Sequence, residues 1–302
     1  YQALRIKILA RIEQKKTWQR KLLLKTVDLG MKKALLQPMK WWEQILNILF
    51  NITTRPQMKK IFGGHLKGFI SGGAPLSPEV GAFISSFGVR VLQGYGMTEA
   101  SIVVSVNLPF EERMETVGPP IKGVAVKIEK DGEIAVKGKV LMKGYWRDPK
   151  GTKEAFDSDG YLKTGDVGAL VNGHLVIIDR KKDIIVNNGG ENIAPQKIEL
   201  LLQAQPVIKQ AAVYGDHKPY ITAVLVVEKE DMKKHGEAGL RKQLQMAIDM
   251  ANKKLASFER VKKFIVTTDP FTIDNQQLSP TLKLRRHLVL QQYKSTLEKL
   301  YR

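Results

Sequence analysis

Short apolar runs that end in glycine clusters constrain this chain more than anything else in it. Leu66–Ile70 and Arg90–Leu92 read as buried strands, with a helical pattern from about Ser77 to Phe87 between them. A helix joining two apolar strands is a β-α-β crossover, which sets the strands parallel in a covered sheet. The first strand runs into Ser71-Gly72-Gly73-Ala74-Pro75-Leu76, the second into Gln93-Gly94-Tyr95-Gly96-Met97-Thr98-Glu99. Glycine at a strand end removes the β-carbon and lets the backbone approach a ligand closely. A neighbouring aromatic can cover a flat base, a hydroxyl can bond a phosphate, and a carboxylate can hold Mg²⁺. Taken alone, the second heptad reads more readily as a glycine-rich turn with a helix-capping Thr and does not decide the matter.

The pattern then changes. From Gly123 to Ile178, short strands (Ala125–Glu129, Glu133–Lys137, His174–Ile178) alternate with Gly, Asp and Asn turns, which predicts a small antiparallel barrel or sandwich. Beyond Asp183 the expectation is a compact α+β domain. It consists of a helix over Gln196–Leu202, strands over Gln210–Val213 and Thr222–Val227, and a helix over Gly239–Leu255. The 302 residues, 43% of them hydrophobic, have room for one large domain or two smaller ones. With no cysteine, thiol chemistry and disulfides are excluded, as fits a cytoplasmic protein. No apolar run reaches the roughly 18 residues of a membrane-spanning helix, and the five histidines show no metal-binding spacing.

A formal charge of +19 points to anionic partners: nucleotide phosphates, coenzyme A, an anionic membrane or nucleic acid. Nearly half of it lies in the first 40 residues, where eleven Lys and Arg face only Glu13 and Asp28, leaving +9. Residues 1–50 also carry apolar groups at helical spacing (Leu4, Ile8, Ile12; Leu22, Leu23, Val27) and three tryptophans, Trp18, Trp41 and Trp42. They read as one or two amphipathic helices. Two uses stay open for that segment: a solvated basic face on helices packed into the core, or peripheral docking on an anionic membrane with the tryptophans as anchors.

Further motifs follow in order: Gly132-Glu133, Gly144-Tyr145-Trp146, Tyr161-Leu162-Lys163-Thr164-Gly165-Asp166 and Asp179-Arg180-Lys181-Lys182-Asp183. Gly189-Gly190-Glu191-Asn192-Ile193-Ala194-Pro195 and Ile198-Glu199 come next. From about Phe69 to the C-terminus this series resembles the adenylate-forming (AMP-binding) superfamily of acyl-CoA synthetases, luciferases and peptide-synthetase adenylation domains. Phe69–Ser77, the basic helical stretch before it and the ending Gln277-Leu278-Ser279-Pro280-Thr281-Leu282-Lys283-Leu284-Arg285-Arg286 are most similar to long-chain fatty acyl-CoA synthetases. The fold implied is α/β. Residues 1–181 would be the C-terminal part of the large nucleotide- and acyl-binding domain, with a basic helical segment (1–50), a β-α-β portion (65–118) and a β-barrel-like subdomain (120–178). Residues 182–302 would be the small mobile domain.

The resemblance also implies roles. Gly72, Gly73 and Ala74 would line the adenine pocket of ATP or AMP, with Gly96 beside it and Tyr95 stacked on the base. Thr98 would contact the α-phosphate, and Glu99 would ligate Mg²⁺. Asp166 would accept both ribose hydroxyls, assisted by Arg180. Lys182 would be the hinge, Gly189 and Gly190 would make room for the pantetheine of coenzyme A, and Lys283 would reach the acyl-phosphate oxygens. The activity implied is ATP-dependent joining of a fatty acid to coenzyme A.

One family element is missing. The Ser/Thr/Gly-rich phosphate loop ending in Pro-Lys has no counterpart here, nor is there a Gly-x-x-x-x-Gly-Lys-Ser/Thr loop to replace it. With no initiator methionine at Tyr1, the expectation is a fragment that lacks full activity by itself. The rivals are an adenylating enzyme for another carboxylate or a carrier protein, and a non-catalytic membrane- or nucleotide-binding module. Nucleic acid is not expected as a partner, because no aromatic stacking surface is evident.

Overall fold

The computed structural model describes residues 2–109, 111 and 113–302. The chain divides into two compact units, Tyr1–Ile178 and Asp179–Arg302.

The first unit opens with helices α1 (Gln2–Glu13), α2 (Thr17–Ala34), α3 (Trp41–Ile52) and α4 (Thr54–Lys59). Ile8 and Ile12 of α1 and Val27 of α2 join Val80, Phe83, Phe87 and Val91 in one buried cluster. Burying each such side chain stabilises by roughly 1.5–3 kcal/mol, so the apolar stripes of α1 and α2 are taken up by the protein's own core. The stripe of α3 is not: Trp41 is 74% exposed, and Ile45, Ile48 and Ile52 are exposed along the same face.

Strand β1 (Gly68–Ser71), helix α5 (Pro78–Ser85) and strand β2 (Arg90–Tyr95) form the expected crossover. The strands pair in parallel from Gly68 opposite Arg90 to Ser71 opposite Gln93. Pro78 at the start of α5 lacks an N–H that would go unused there, and Glu79 in its first turn suits the helix dipole. Strand β3 (Ser105–Val106) adds antiparallel to the end of β2.

The barrel-like region consists of β4 (Val124–Ile128), β5 (Glu133–Gly138), a short helix α6 (Pro149–Ala155), β6 (Leu162–Val171) and β7 (His174–Arg180). Its four strands make one sheet in the order β4-β5-β6-β7. Strand β6 escaped the periodicity reading because its register breaks midway. Glu133 faces Val167 and Ala135 faces Lys163, so Thr164, Gly165 and Asp166 stand opposite Ile134 alone. Gly165 takes φ +69° at this bulge, a conformation open to glycine. Thr164 Oγ1 donates to Ile134 O at 2.7 Å, and Gly165 N–H to Glu133 Oε1 at 2.9 Å. The sheet shares a core with the end of β2: Ile134, Val136 and Leu175 cluster with Ala100 and Val104, and Tyr95 and Met97 pack on them.

In the second unit, a ribbon of β8 (Ile185–Val186) and β9 (Asn192–Ile193) leads to α7 (Pro195–Gln203). Strands β10 (Gln210–Tyr214) and β11 (Ile221–Val226), helix α8 (Lys229–Asn252), strand β12 (Val261–Thr267) and helix α9 (Arg286–Lys299) complete it. The sheet order is β10-β11-β12, antiparallel then parallel. Every residue of β11 is buried. Its Ala223 and Leu225 meet Ile198, Leu202 and Leu244 of α7 and α8, while Val224 and Val226 meet Val289 and Leu297 of α9. A central strand covered on both faces reads as a continuous apolar run. Helix α8 begins ten residues before the expected Gly239, with Gly236 at φ +62° interrupting it.

Candidate active site

Because β1 and β2 are parallel neighbours, the segments leaving their carboxyl ends emerge side by side. That crevice is where open α/β sheets bind ligands. Gly72, Gly73 and Ala74 are exposed there, and a β-carbon on Gly72 would lie 3.5 Å from the Gly94 carbonyl. Gly96 is forced by packing: a β-carbon would sit 1.5 Å from the Ile102 carbonyl oxygen.

Thr98 and Glu99 lie in a single turn, Thr98–Ala100, that ends in strained backbone. Ser101 has φ +49° and Ile102 φ +81°, and for a β-branched residue the latter is a true outlier. Strain of this kind persists only where surroundings over-determine it. Here Ser101 Oγ donates to Val140 O (2.7 Å), Met142 N–H to Glu99 O (2.7 Å) and Ile102 N–H to Met97 O (3.0 Å).

Two tyrosines hold the two site carboxylates of this unit. Tyr95 Oη donates to Asp166 Oδ2 at 2.6 Å, with Asp166 only 6% exposed and its own N–H bound to Thr164 Oγ1. The bulge in β6 is what turns Asp166 toward Tyr95. Tyr145 Oη donates to Glu99 Oε1 at 3.1 Å. Burial, and then that hydrogen bond, hold the Tyr145 phenol above its ordinary range, so it remains a donor at neutral pH. Tyr145 had no role in the sequence reading; its place in Gly144-Tyr145-Trp146 was the signal available.

The second unit carries the other candidates. Arg180 is exposed at the end of β7, and Lys182 is exposed in the turn Lys181–Asp183. Asp179 is buried between them and the rest of the unit, accepting from Arg180 N–H at 2.7 Å and Gln196 N–H at 2.8 Å. Burial pushes its carboxyl up. Gly189 and Gly190 sit in the exposed loop between β8 and β9, where Asn187 Oδ1 accepts from Gly189 N–H (2.9 Å) and Glu191 N–H (3.0 Å). Lys283 is exposed in the loop before α9, closed by Lys283 N–H to Ser279 Oγ at 3.0 Å. Gly72, Gly73, Ala74, Tyr95, Gly96, Thr98, Glu99 and Asp166 thus gather in the first unit. Arg180 at the end of β7, Lys182 in the turn after it, Gly189 and Gly190 in one loop and Lys283 in another belong to the second.

Known proteins match this arrangement. The family model described as AMP-binding enzyme matches residues 38–146, and that described as AMP-binding enzyme C-terminal domain matches residues 182–302. The long-chain-fatty-acid–CoA ligase FadD15 of Mycobacterium bovis is 36% identical over 262 residues, covering 81% of this chain and 44% of the relative. Long-chain-fatty-acid–CoA ligase 6 of Mus musculus is 37% identical over 270 residues, covering 79% and 39%. The A domain of carboxylic acid reductase from Segniliparus rugosus, solved with AMP and a co-purified carboxylic acid, superposes with a TM-score of 0.70 at 29% identity. That match covers 92% of this chain and 45% of the other. The chain therefore spans less than half the length of the curated relatives it matches.

Proposed function

The chain belongs to the AMP-binding, adenylate-forming enzyme family, and from that premise we propose that it is part of a ligase joining a long-chain fatty acid to coenzyme A. In the first half-reaction a carboxylate oxygen of the fatty acid attacks the α-phosphorus of ATP, and pyrophosphate leaves. In the second the coenzyme A thiol, having given up its proton, attacks the acyl carbonyl and AMP leaves. The observation that carries this reading is the hydrogen bond from Tyr95, at the carboxyl end of β2, to Asp166 in the β6 bulge. It sets a base-sized aromatic beside a carboxylate with two acceptor oxygens, matching an adenine and the two hydroxyls of its ribose.

Thr98 then contacts the α-phosphate, and Lys283 supplies positive charge to oxygens that become more anionic as the carboxylate attacks. Chemistry of this kind is governed by positioning and charge stabilisation. Among the described residues, no group of three or more His, Cys, Asp or Glu side chains converges as a metal cage. Glu99 is the carboxylate that would hold a Mg²⁺ bound with the nucleotide, and the ion would supply neutralisation of phosphate charge. Lys182 is the hinge about which the second unit turns between the half-reactions, and Gly189 and Gly190 leave space for the pantetheine arm. The 36–37% identity to fatty-acid ligases, against 29% to a carboxylic acid reductase domain, favours a long-chain acyl substrate.

Residues 1–50 are proposed to bring the enzyme to an anionic membrane surface. No helix among the described residues is long and apolar enough to cross a bilayer. Trp18 and Trp41 are 65% and 74% exposed beside a +9 stretch, and each Lys or Arg near an anionic leaflet contributes about 1 kcal/mol. Charge-dependent co-sedimentation with vesicles, lost on removal of Trp18 and Trp41, is the expected result. The catalytic reading is tested with the complete protein, palmitate, Mg-ATP and coenzyme A. Equal amounts of AMP and palmitoyl-CoA are expected, and AMP formation that does not depend on the acid would overturn it.

A further inference from the structure

Beneath the exposed loops of the second unit lies a buried ionic knot that the roles above do not use. Glu199 of α7 is 4% exposed, and its carboxylate accepts Arg286 Nη2 at 2.7 Å, Arg286 Nε at 3.2 Å and the Val213 N–H at 3.0 Å. Arg286 is the first residue of α9, three positions beyond Lys283. Its third nitrogen, Nη1, lies 3.5 Å from Asp183 Oδ2, and Asp183 closes the turn that contains Lys182. One guanidinium thus spans the stem of the Lys283 loop, helix α7 and the turn after β7. Burial works against its charge, and Glu199 together with Asp179 and Asp183 outweighs burial, so Arg286 stays a cation.

Holding α9 to α7 does not require ions. A buried ion pair loses so much hydration that apolar residues of similar volume often serve as well or better. What the pair adds is direction, because the planar fork of arginine fixes two partners at set angles where a leucine would slide. Arg286 stands at the stem of the loop that delivers the lysine, and its fork reaches helix α7 through Glu199 and the turn that hinges through Asp183.

We propose that Arg286 is a positioning residue that fastens the Lys283 loop to the Lys182 turn, so that the lysine is carried as one rigid piece with the hinge. The proposal rests on the reading of Lys283 and Lys182 given above. Misplacing a reacting group by about 1 Å can cost on the order of 100-fold in rate, so loosening the fastening falls on the half-reaction that uses Lys283.

The test uses the complete protein with Asp183→Asn and Arg286→Lys. The first removes only the partly exposed tie to the turn and leaves the Glu199 pair in place. The second keeps the charge but loses the fork. Acid-dependent pyrophosphate release should slow roughly 10- to 100-fold in both. Thioester formation from supplied acyl-adenylate should stay within about twofold, and for Asp183→Asn the melting temperature within about 4 °C. Equal slowing of both half-reactions, or no slowing of either in Asp183→Asn, overturns the proposal. Lys283→Ala separates the two levels. If it leaves pyrophosphate release intact, the reading of Lys283 fails and takes this proposal with it; if it slows that step while Asp183→Asn and Arg286→Lys do not, only the fastening is refuted.

Discussion

The two units hold their candidate residues in opposite ways. In the first, the site is made largely of backbone: glycine loops at two strand ends, a strained turn, and carboxylates already engaged by Tyr95 and Tyr145. In the second, every candidate is exposed, and beneath the end of β7 and the Lys283 loop lie Glu199, Arg286 and Asp179. A site built from backbone and from hydrogen bonds already made suits a ligand that must be met in one pose. Loops fastened from below by charges suit groups that must be presented and then withdrawn. The contrast implies that breaking the Glu199–Arg286 pair costs stability, whereas removing an exposed candidate such as Lys283 costs function alone.

The largest effect is expected from Glu199→Ala, which leaves the largely buried Arg286 with only the partly exposed Asp183 as counter-charge. Breaking such a pair costs about 3–5 kcal/mol, read as a fall in the urea midpoint of the second unit. A loss below about 1 kcal/mol would mean that the knot is not what holds α7 and α9. Next comes Lys283→Ala, an exposed change with little effect on stability. Removing one positioned charge at a developing anion should slow adenylation on the order of 10²–10³-fold and spare thioester formation. Stopped-flow pyrophosphate release separates the two steps.

Smaller again is Tyr95→Phe, which takes a donor from the buried Asp166. The lost hydrogen bond to a charged group corresponds to about 1.5–3 kcal/mol. It should appear partly as weaker nucleotide binding and partly as a lower melting temperature of the first unit. The smallest effect is electrostatic. The Glu298 carboxyl is held below its ordinary range by Lys218 and then by Tyr214. A folded-state pKa below the unfolded value gives stabilisation that is present above roughly pH 4.3 and is lost as pH falls through the folded pKa. Lys218→Met should therefore flatten the acid limb of amide protection in α9. An unchanged limb would show that the pair contributes nothing there.

What could be read in the sequence, and what could not, follows the range of the interactions. The β1-α5-β2 crossover was legible because apolar runs and glycine breaks are local. So was β11, whose apolar run from Ala223 onward reflects burial on both faces. Strand β6 was hidden by Thr164-Gly165-Asp166, which reads as a turn and is in fact a bulge inside a strand. Strand β12 was hidden because Lys262 and Lys263 interrupt its alternation, as an edge strand allows. Helix α9 buries only Val289 and Leu297, too few for a clear period. The pairings within the site span 46 residues for Tyr145–Glu99 and 71 for Tyr95–Asp166, and the buried Arg286–Glu199 pair spans 87. Residue types and motif order named most of the candidates, but only the fold could say which of them touch.

The central claim is that the carboxyl ends of β1 and β2, closed by Asp166, receive the adenosine part of a nucleotide. It is tested most directly by calorimetric titration of the complete protein and its Asp166→Ala variant with AMP and with 2′,3′-dideoxy-AMP. If Asp166 accepts the ribose hydroxyls, the wild type binds AMP more tightly than the dideoxy compound by about 1.5–3 kcal/mol, and the variant binds the two alike. A variant that still prefers AMP by the full margin would contradict the claim.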